Sequence, residues 1–299
     1  MDSVIVQAPA TTANLGPGFD SLGLALDLCN EIELALADET TVSVEGEGAD
    51  RLPRNDAHLV LRSARTLADE HGVKAPGWRL RQRNAIPLAR GLGSSSAAIV
   101  AGLVAADALF ELGLSREDLL EVAAKIEGHP DNVAPALYGG LTVCCANERL
   151  CCLPLPPPDL KVVVAIPDFE VSTEAARKVM PREIPHGDGV HNVAHVAMTL
   201  AAFLDGRYEF LACGMLDKLH EPYRAHLVPG FERVREAALR SGAYGVCLSG
   251  SGPTVAAFAD HYEKDIAAVM CQTFLEAGVQ ARTLILEPTA EGARVVHNT

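Results

Sequence analysis

The chain has 299 residues, 48% of them hydrophobic and 21% charged, which is room for two domains with ample cores. Its 25 Lys and Arg against 39 Asp and Glu leave a formal charge of −14, which excludes the basic stripe of a nucleic-acid surface. The longest apolar run, Ala97 to Ala106, is too short to span a bilayer, and Met1-Asp-Ser-Val-Ile-Val lacks the basic and apolar regions of a secretory signal. A cytoplasmic protein with no membrane partner and no nucleic-acid partner is expected.

Residues Ser3 to Ala8 alternate as a strand does. Ala8-Pro-Ala-Thr-Thr-Ala-Asn-Leu-Gly-Pro-Gly-Phe-Asp20 follows, and its prolines and glycines predict a loop that is neither helix nor central strand. Leu24, Leu26 and Leu28, then Ile32, Leu34 and Leu36, keep one alternation, that of a half-buried strand. Thr41-Val-Ser-Val-Glu predicts a further short strand, Leu59 to His71 a helix, and Gly77-Trp-Arg-Leu-Arg-Gln-Arg83 a strand.

That strand leads into Pro87-Leu-Ala-Arg-Gly-Leu-Gly-Ser-Ser-Ser-Ala-Ala98 and the apolar run behind it. Strand, Gly/Ser loop and helix start make an anion cradle. Gly91 and Gly93 carry no Cβ, so the backbone there can approach a phosphate closely. The helix beginning near Ser94 leaves its first amides unpaired at the positive end of its dipole. Ser94, Ser95 and Ser96 add hydroxyls suited to phosphate oxygens or a magnesium ion. The loop is neither a Walker A sequence nor Gly-x-Gly-x-x-Gly.

Ser115-Arg-Glu-Asp118 is a capping-box variant opening a helix through Ile126, ended by Gly128 directly before the turn His129-Pro-Asp-Asn-Val-Ala-Pro135. Leu119, Leu120, Ala123 and Ile126 form its apolar stripe; Glu117, Glu121 and Lys125 lie opposite, with Glu121 and Lys125 spaced to pair. Gly139–Cys145 and Arg149–Leu153 predict a hairpin in which the vicinal pairs Cys144-Cys145 and Cys151-Cys152 split across its faces as reduced, structural thiols. Leu155-Pro-Pro-Pro-Asp159 is a stiff linker, dividing a domain over 1–155 from one over 160–299. Beyond it come a buried strand (Leu160 to Ile166), helical periodicity from Val193 to Leu219 and Phe231 to Ser241, and a strand–loop–strand over Gly245 to Phe258. A helix (Lys264 to Ala277) and a strand (Thr283 to Leu286) follow. Hairpins outnumber βαβ units, so the class is α+β in two halves.

Four segments together resemble the homoserine kinases, a branch of the small-molecule kinase family that also holds galactokinase, mevalonate kinase and phosphomevalonate kinase (the GHMP kinases). They are Ala8–Asp20, Pro87–Ser96, Glu127-Gly-His-Pro-Asp-Asn-Val-Ala-Pro135 and Leu248-Ser-Gly-Ser-Gly-Pro-Thr254. The resemblance covers nearly the whole chain. Its second and fourth segments mark the family; the first and third, with Arg177 and Arg224, point to homoserine as acceptor. It implies a ribosomal S5 domain 2-like N-terminal domain and a ferredoxin-like C-terminal domain, with ATP and acceptor in the cleft between them. It also implies formation of O-phospho-L-homoserine for threonine biosynthesis, and a homodimer is expected.

The resemblance assigns ATP to Pro87, Leu88, Ala89, Arg90, Gly91, Leu92, Gly93, Ser94, Ser95, Ser96 and Ala97. It assigns the carboxylate of L-homoserine to Arg177 and Arg224, the ammonium to Asp20, and the hydroxyl to Asn14 and Asn132, with His129 and Asp131 nearby. Those types suit the chemistry, because guanidinium forks match a carboxylate and a carboxylate matches an ammonium. Thr173 and Gly250 neighbour the acceptor. Either Asp131 or His129 takes the hydroxyl proton. Mg²⁺ falls to Glu127 with Ser95 or Ser96: Glu127 lies one turn beyond Ala123 on the buried side of its helix, whereas Glu121 faces solvent. His58 stands where the family usually carries an Asn near the adenine, a departure at the purine contact. The rival readings are another kinase of the family, a nucleotide-binding sensor without turnover, and a metalloenzyme built on His191-Asn-Val-Ala-His195. That last spacing lacks the Glu of a zinc helix and is expected to be structural.

Overall fold

A computed structural model describes residues 3–146 and 148–298, which two β-sheets organise. The first contains β1 (Ser3–Ala13), β2 (Leu22–Ala37), β3 (Thr41–Gly46), β4 (Gly77–Asn84), β5 (Leu141–Ala146) and β6 (Leu150–Leu155). Its path is β11-β1-β2-β4-β3, with β5 on β2 and β6 on β5; β11 is Arg294–Asn298. The second contains β7 (Lys161–Pro167), β8 (Gly245–Leu248), β9 (Val255–Ala259) and β10 (Ala281–Leu286), in the order β10-β7-β9-β8 and antiparallel throughout. That is the β-α-β-β-α-β arrangement of a ferredoxin-like sheet, and the fold is α+β in two units. The segment between β6 and β7 carries the chain from one sheet to the other, but β11 returns to pair with β1, so the stretch 160–299 does not belong to the second sheet throughout.

Helix α1 (Leu59–Glu70) links the parallel pair β3 and β4. Helix α2 (Ser94–Phe110) is almost wholly buried, packed between β1 on one side and α1, α3 (Arg116–Glu127) and α4 (Pro130–Tyr138) on the other. A helix apolar all round is one that meets protein all round. The same logic explains β7. Val162, Val164 and Ile166 join the core shared with the first sheet, while Val163 and Ala165 face a second core. The remaining helices are α5 (Thr173–Lys178), α6 (His186–Asp205), α7 (Leu211–Gly214), α8 (Glu221–Arg224), α9 (Phe231–Arg240) and α10 (Glu263–Glu276). The last two cover the outer face of the second sheet. Among the described residues no helix is long and apolar enough to cross a membrane.

Several local expectations meet tertiary context. Strand β1 continues through Pro9 to Ala13 instead of breaking into a loop at Ala8. Pro9 is tolerated because the register with β2 shifts between Pro9 and Ala10, and β11 covers only Val4–Gln7, so no ladder bond needs its missing N–H. Leu36, expected on the buried side of β2, is 40% exposed near the strand's end. The periodicity from Val193 to Leu219 is interrupted where Gly206 ends α6 in the left-handed conformation. His129–Pro135 is not a turn: His129 is the N-cap of α4, with Pro130 in its first turn. Ser115 and Asp118 do form a capping box, but Glu121 and Lys125 remain exposed and are not paired with one another among the described residues. Cys144 lies opposite Cys152, and Cys145 opposite Cys151, across the β5–β6 hairpin, with Cys144 buried. His191 and His195 stack at 3.5 Å and direct ring nitrogens to the backbone carbonyls of Leu216 and His191.

At the junction of α8 with the second sheet, Glu221 is buried and its Oε1 accepts the Leu248 N–H at 2.6 Å. Burial outweighs that bond and raises its pKa to about 8, so the folded state binds this proton more tightly than the unfolded chain. The associated stability is present below the unfolded carboxyl pKa and is lost as pH rises through the folded value. Calorimetry from about pH 5 to pH 8 should show a Tm decline in the wild type that is flatter in Glu221→Gln. Equal slopes in the two proteins would mean that Glu221 folds as a carboxylate.

Candidate active site

The motif loops converge where the two sheets meet, and they are bonded to one another. Thr11 N–H donates to Leu92 O at 3.1 Å, Gly250 N–H to Ala13 O at 3.1 Å, and Thr254 N–H to Arg90 O at 3.3 Å. Ser249 Oγ donates to Gly91 O at 2.6 Å and lies 2.9 Å from Thr12 Oγ1. Such approaches leave no space for side chains. A Cβ on Gly91 (φ +78) would stand 2.1 Å from Ser249 O, and one on Gly93 (φ +69) 1.9 Å from Thr11 Oγ1.

These loops wall a cleft of about 280 Å³. It brings together Asn14, Asp20, Ala89, Arg90, Gly91, Gly93, Ser94, Ser95, Ser96, Glu127, His129, Asp131, Asn132, Thr173, Arg177, Arg224 and Gly250. Four residues of the expected ATP loop do not line this cleft. Pro87 and Leu88 border a hollow beside Arg51 and Glu170 that shares Arg90 with the cleft, while Leu92 and Ala97 are buried in the core. Leu92 anchors the loop between two glycines, and α2 turns Ala97 away from the cleft as it starts.

At one end of the cleft, Ser95 Oγ and Ser96 Oγ donate to Glu127 Oε1 at 2.6 and 2.9 Å. Two hydroxyls and a carboxylate at the start of α2 form an all-oxygen donor set of the kind a hard divalent cation takes. In the middle, Thr11 Oγ1 donates to Asn132 Oδ1 at 2.8 Å, which orients the amide. Asp131 Oδ1 accepts Asn132 Nδ2 at 3.3 Å and His129 Nδ1 at 2.5 Å. Burial alone would lower the His129 pKa; the hydrogen bond and charge of Asp131, with Glu127, outweigh it and raise the value. Asp20, His129 and Asp131 could gather round one ion, but Asp20 is already held by Arg177, at 2.7 and 3.2 Å, and Asp131 by His129.

At the other end, Asn14 sits in the left-handed region (φ 69), accepts the Asp20 N–H and donates to Gly250 O, so it ties the first loop to the last. Arg224 is 2% exposed, with Nε donating to Ala176 O and Nη1 to Gly250 O and His220 Nδ1. Phe19 lies under both guanidiniums, 5.6 Å from that of Arg177 and 5.1 Å from that of Arg224. Sequence reasoning missed Phe19, Val171, Ser172 and Ser251, which also line the cleft; Phe19 was legible only as the neighbour of Asp20 in a Gly-rich segment.

Residues 58–140 match the model of the GHMP kinase N-terminal domain and residues 200–276 that of the GHMP kinase C-terminal domain. Homoserine kinase of Carboxydothermus hydrogenoformans is 46% identical over 97% of this chain and 96% of its own length. This chain belongs to the GHMP kinase family. Homoserine kinase of Moorella thermoacetica is 42% identical, covering 98% of this chain and 99% of the relative. Among solved GHMP kinases, homoserine kinase from Cytophaga hutchinsonii superposes with a TM-score of 0.89 at 32% identity, over 99% of this chain and 98% of that one.

Because Ser249 O and the nearby Gly252 N and O are backbone atoms, the clash at Gly91 cannot be relieved by a rotamer change. Gly91→Ala should lower Tm by several degrees and raise the ATP KM more than the acceptor KM. An unchanged Tm and ATP KM would show that the two loops can separate at no cost.

Proposed function

We propose that this GHMP kinase transfers the γ-phosphoryl group of ATP to the hydroxyl of L-homoserine. The observation that carries the acceptor is Arg224. It is buried, makes no ion pair with a carboxylate among the described residues, and has no protein partner for its Nη2 hydrogens at the cleft it lines. A buried guanidinium left in that state is costly, and a ligand carboxylate relieves the cost. Asp20 and Arg177 sit beside it bonded to one another, and a zwitterionic ligand would exchange that pair for an ammonium on Asp20 and a carboxylate on the Arg177 fork. A sugar or an uncharged alcohol has no group for either. The homoserine kinases among the relatives support the same acceptor.

Phosphoryl transfer has a largely dissociative transition state, so catalysis is mainly positioning and charge neutralisation. The glycine backbone at 91 and 93 and the α2 amides receive the phosphates. Asn132 holds the acceptor hydroxyl through Nδ2, and the Asp131–His129 pair is the sink for its proton. Glu127 with Ser95 or Ser96 would hold magnesium, which when bound supplies positive charge beside the phosphates.

Coupled assays with homoserine, mevalonate, shikimate and galactose test the acceptor, and homoserine should show the highest kcat/KM. In that panel Arg224→Leu or Arg177→Leu should raise the homoserine KM while sparing the ATP Kd, since losing a charged contact costs about 2–5 kcal/mol. A far higher kcat/KM for another acceptor would overturn the assignment. Glu127→Gln should lose most of kcat and weaken the Mg²⁺ dependence, whereas Glu121→Gln should stay near wild type. The reverse pattern would remove Glu127 from the metal.

A further inference from the structure

His220 lies directly behind Arg224, is fully buried, and contributes nothing to the cleft wall. Its Nε2 is 2.8 Å from Gly16 O, and a carbonyl can only accept, so Nε2 carries the proton. In the neutral ring Nδ1 is then the bare nitrogen, and it accepts Arg224 Nη1–H at 3.2 Å. The backbone of His220 is fixed as well, because Asp217 Oδ2 accepts its N–H and that of Glu221, both at 2.7 Å. Phe19 stacks on the imidazole at 5.2 Å and 24°, and the same phenyl ring underlies the guanidinium. Burial holds the His220 pKa below the ordinary value; Asp217 pulls it up and Arg224 pushes it down.

We infer that His220 is a positioning residue for the acceptor: as the Nε2–H tautomer, seated on Phe19, it takes the Nη1 edge of Arg224 and so aims the Nη2 edge into the cleft for a carboxylate. This rests on the acceptor reading of Arg224 proposed above. Without Nδ1, Nη1 has only Gly250 O, and the fork is held less tightly against rotation. A purely structural role would instead reside in the Nε2 bond to Gly16 O, which staples α8 to the first loop.

The amide of Asn overlays Nδ1 of histidine, and that of Gln overlays Nε2, so two substitutions separate the roles. Homoserine and ATP KM and kcat are measured for His220→Asn, His220→Gln, Arg224→Leu and the double variant His220→Gln/Arg224→Leu. His220→Gln should raise the homoserine KM by about tenfold or more, the scale of one hydrogen bond to a charged group, with the ATP KM changed less than about twofold. His220→Asn, which keeps an acceptor for Nη1, should stay within about threefold of wild type for homoserine. In the Arg224→Leu background His220→Gln should add no further rise, because the group it positions is gone. His220→Asn proving worse than His220→Gln, a parallel rise in both KM values, or additivity in the double variant would each overturn the inference. An unchanged homoserine KM in Arg224→Leu alone would overturn the acceptor reading beneath it, and so distinguishes the two failures.

Discussion

The site depends on Ser249. Its hydroxyl reaches Gly91 O in the phosphate loop and Thr12 Oγ1 at the end of β1, while its own chain lies between β8 and β9 of the second sheet. A buried hydroxyl of this kind must find partners, and that of Ser249 finds both in other motif segments. Thr11 to Leu92, Gly250 to Ala13 and Thr254 to Arg90 repeat the arrangement. The loops that wall the cleft are therefore held at a fixed distance by the docking of one sheet on the other.

The docking is itself hydrophobic. Val162, Val164 and Ile166 on one face of β7 enter the core that contains α2 and β1, and Phe203 meets Phe258 edge-on across it. Directional contacts then set orientation on that apolar base. The polar side chains of the cleft fall into bonded groups: Ser95 and Ser96 with Glu127, Asn132 and His129 with Asp131, and Asp20 with Arg177 beside Arg224.

Local rules read well where one principle dominates. The capping box at Ser115, the alternation of β2 up to Leu34, and the Gly/Ser start of α2 all appear as their residues predict. They read poorly where a remote partner decides. Pro9 stays in a strand because a register shift excuses its missing N–H, and His129–Pro135 becomes a helix because Pro130 suits a first turn. The Gly/Ser loop before α2 divides for the same reason. Its glycines and serines face the cleft, whereas Leu92 and Ala97 are claimed by a core assembled from other parts of the chain.

By itself the sequence determined the α+β class, the Gly/Ser start of α2 and which face of α3 carries Glu127, because each follows from spacing within a few turns of chain, and its four motif segments carried the family resemblance. Only the tertiary structure decided that Arg224 is buried with no carboxylate paired to it among the described residues, that Phe19 lies beneath two guanidiniums, and that His220 presents Nδ1 to one of them. Those facts join residues such as Gly16 and His220, 204 positions apart. Burial, charge partnership and tautomer are properties of surroundings, and surroundings exist only once distant segments have packed together.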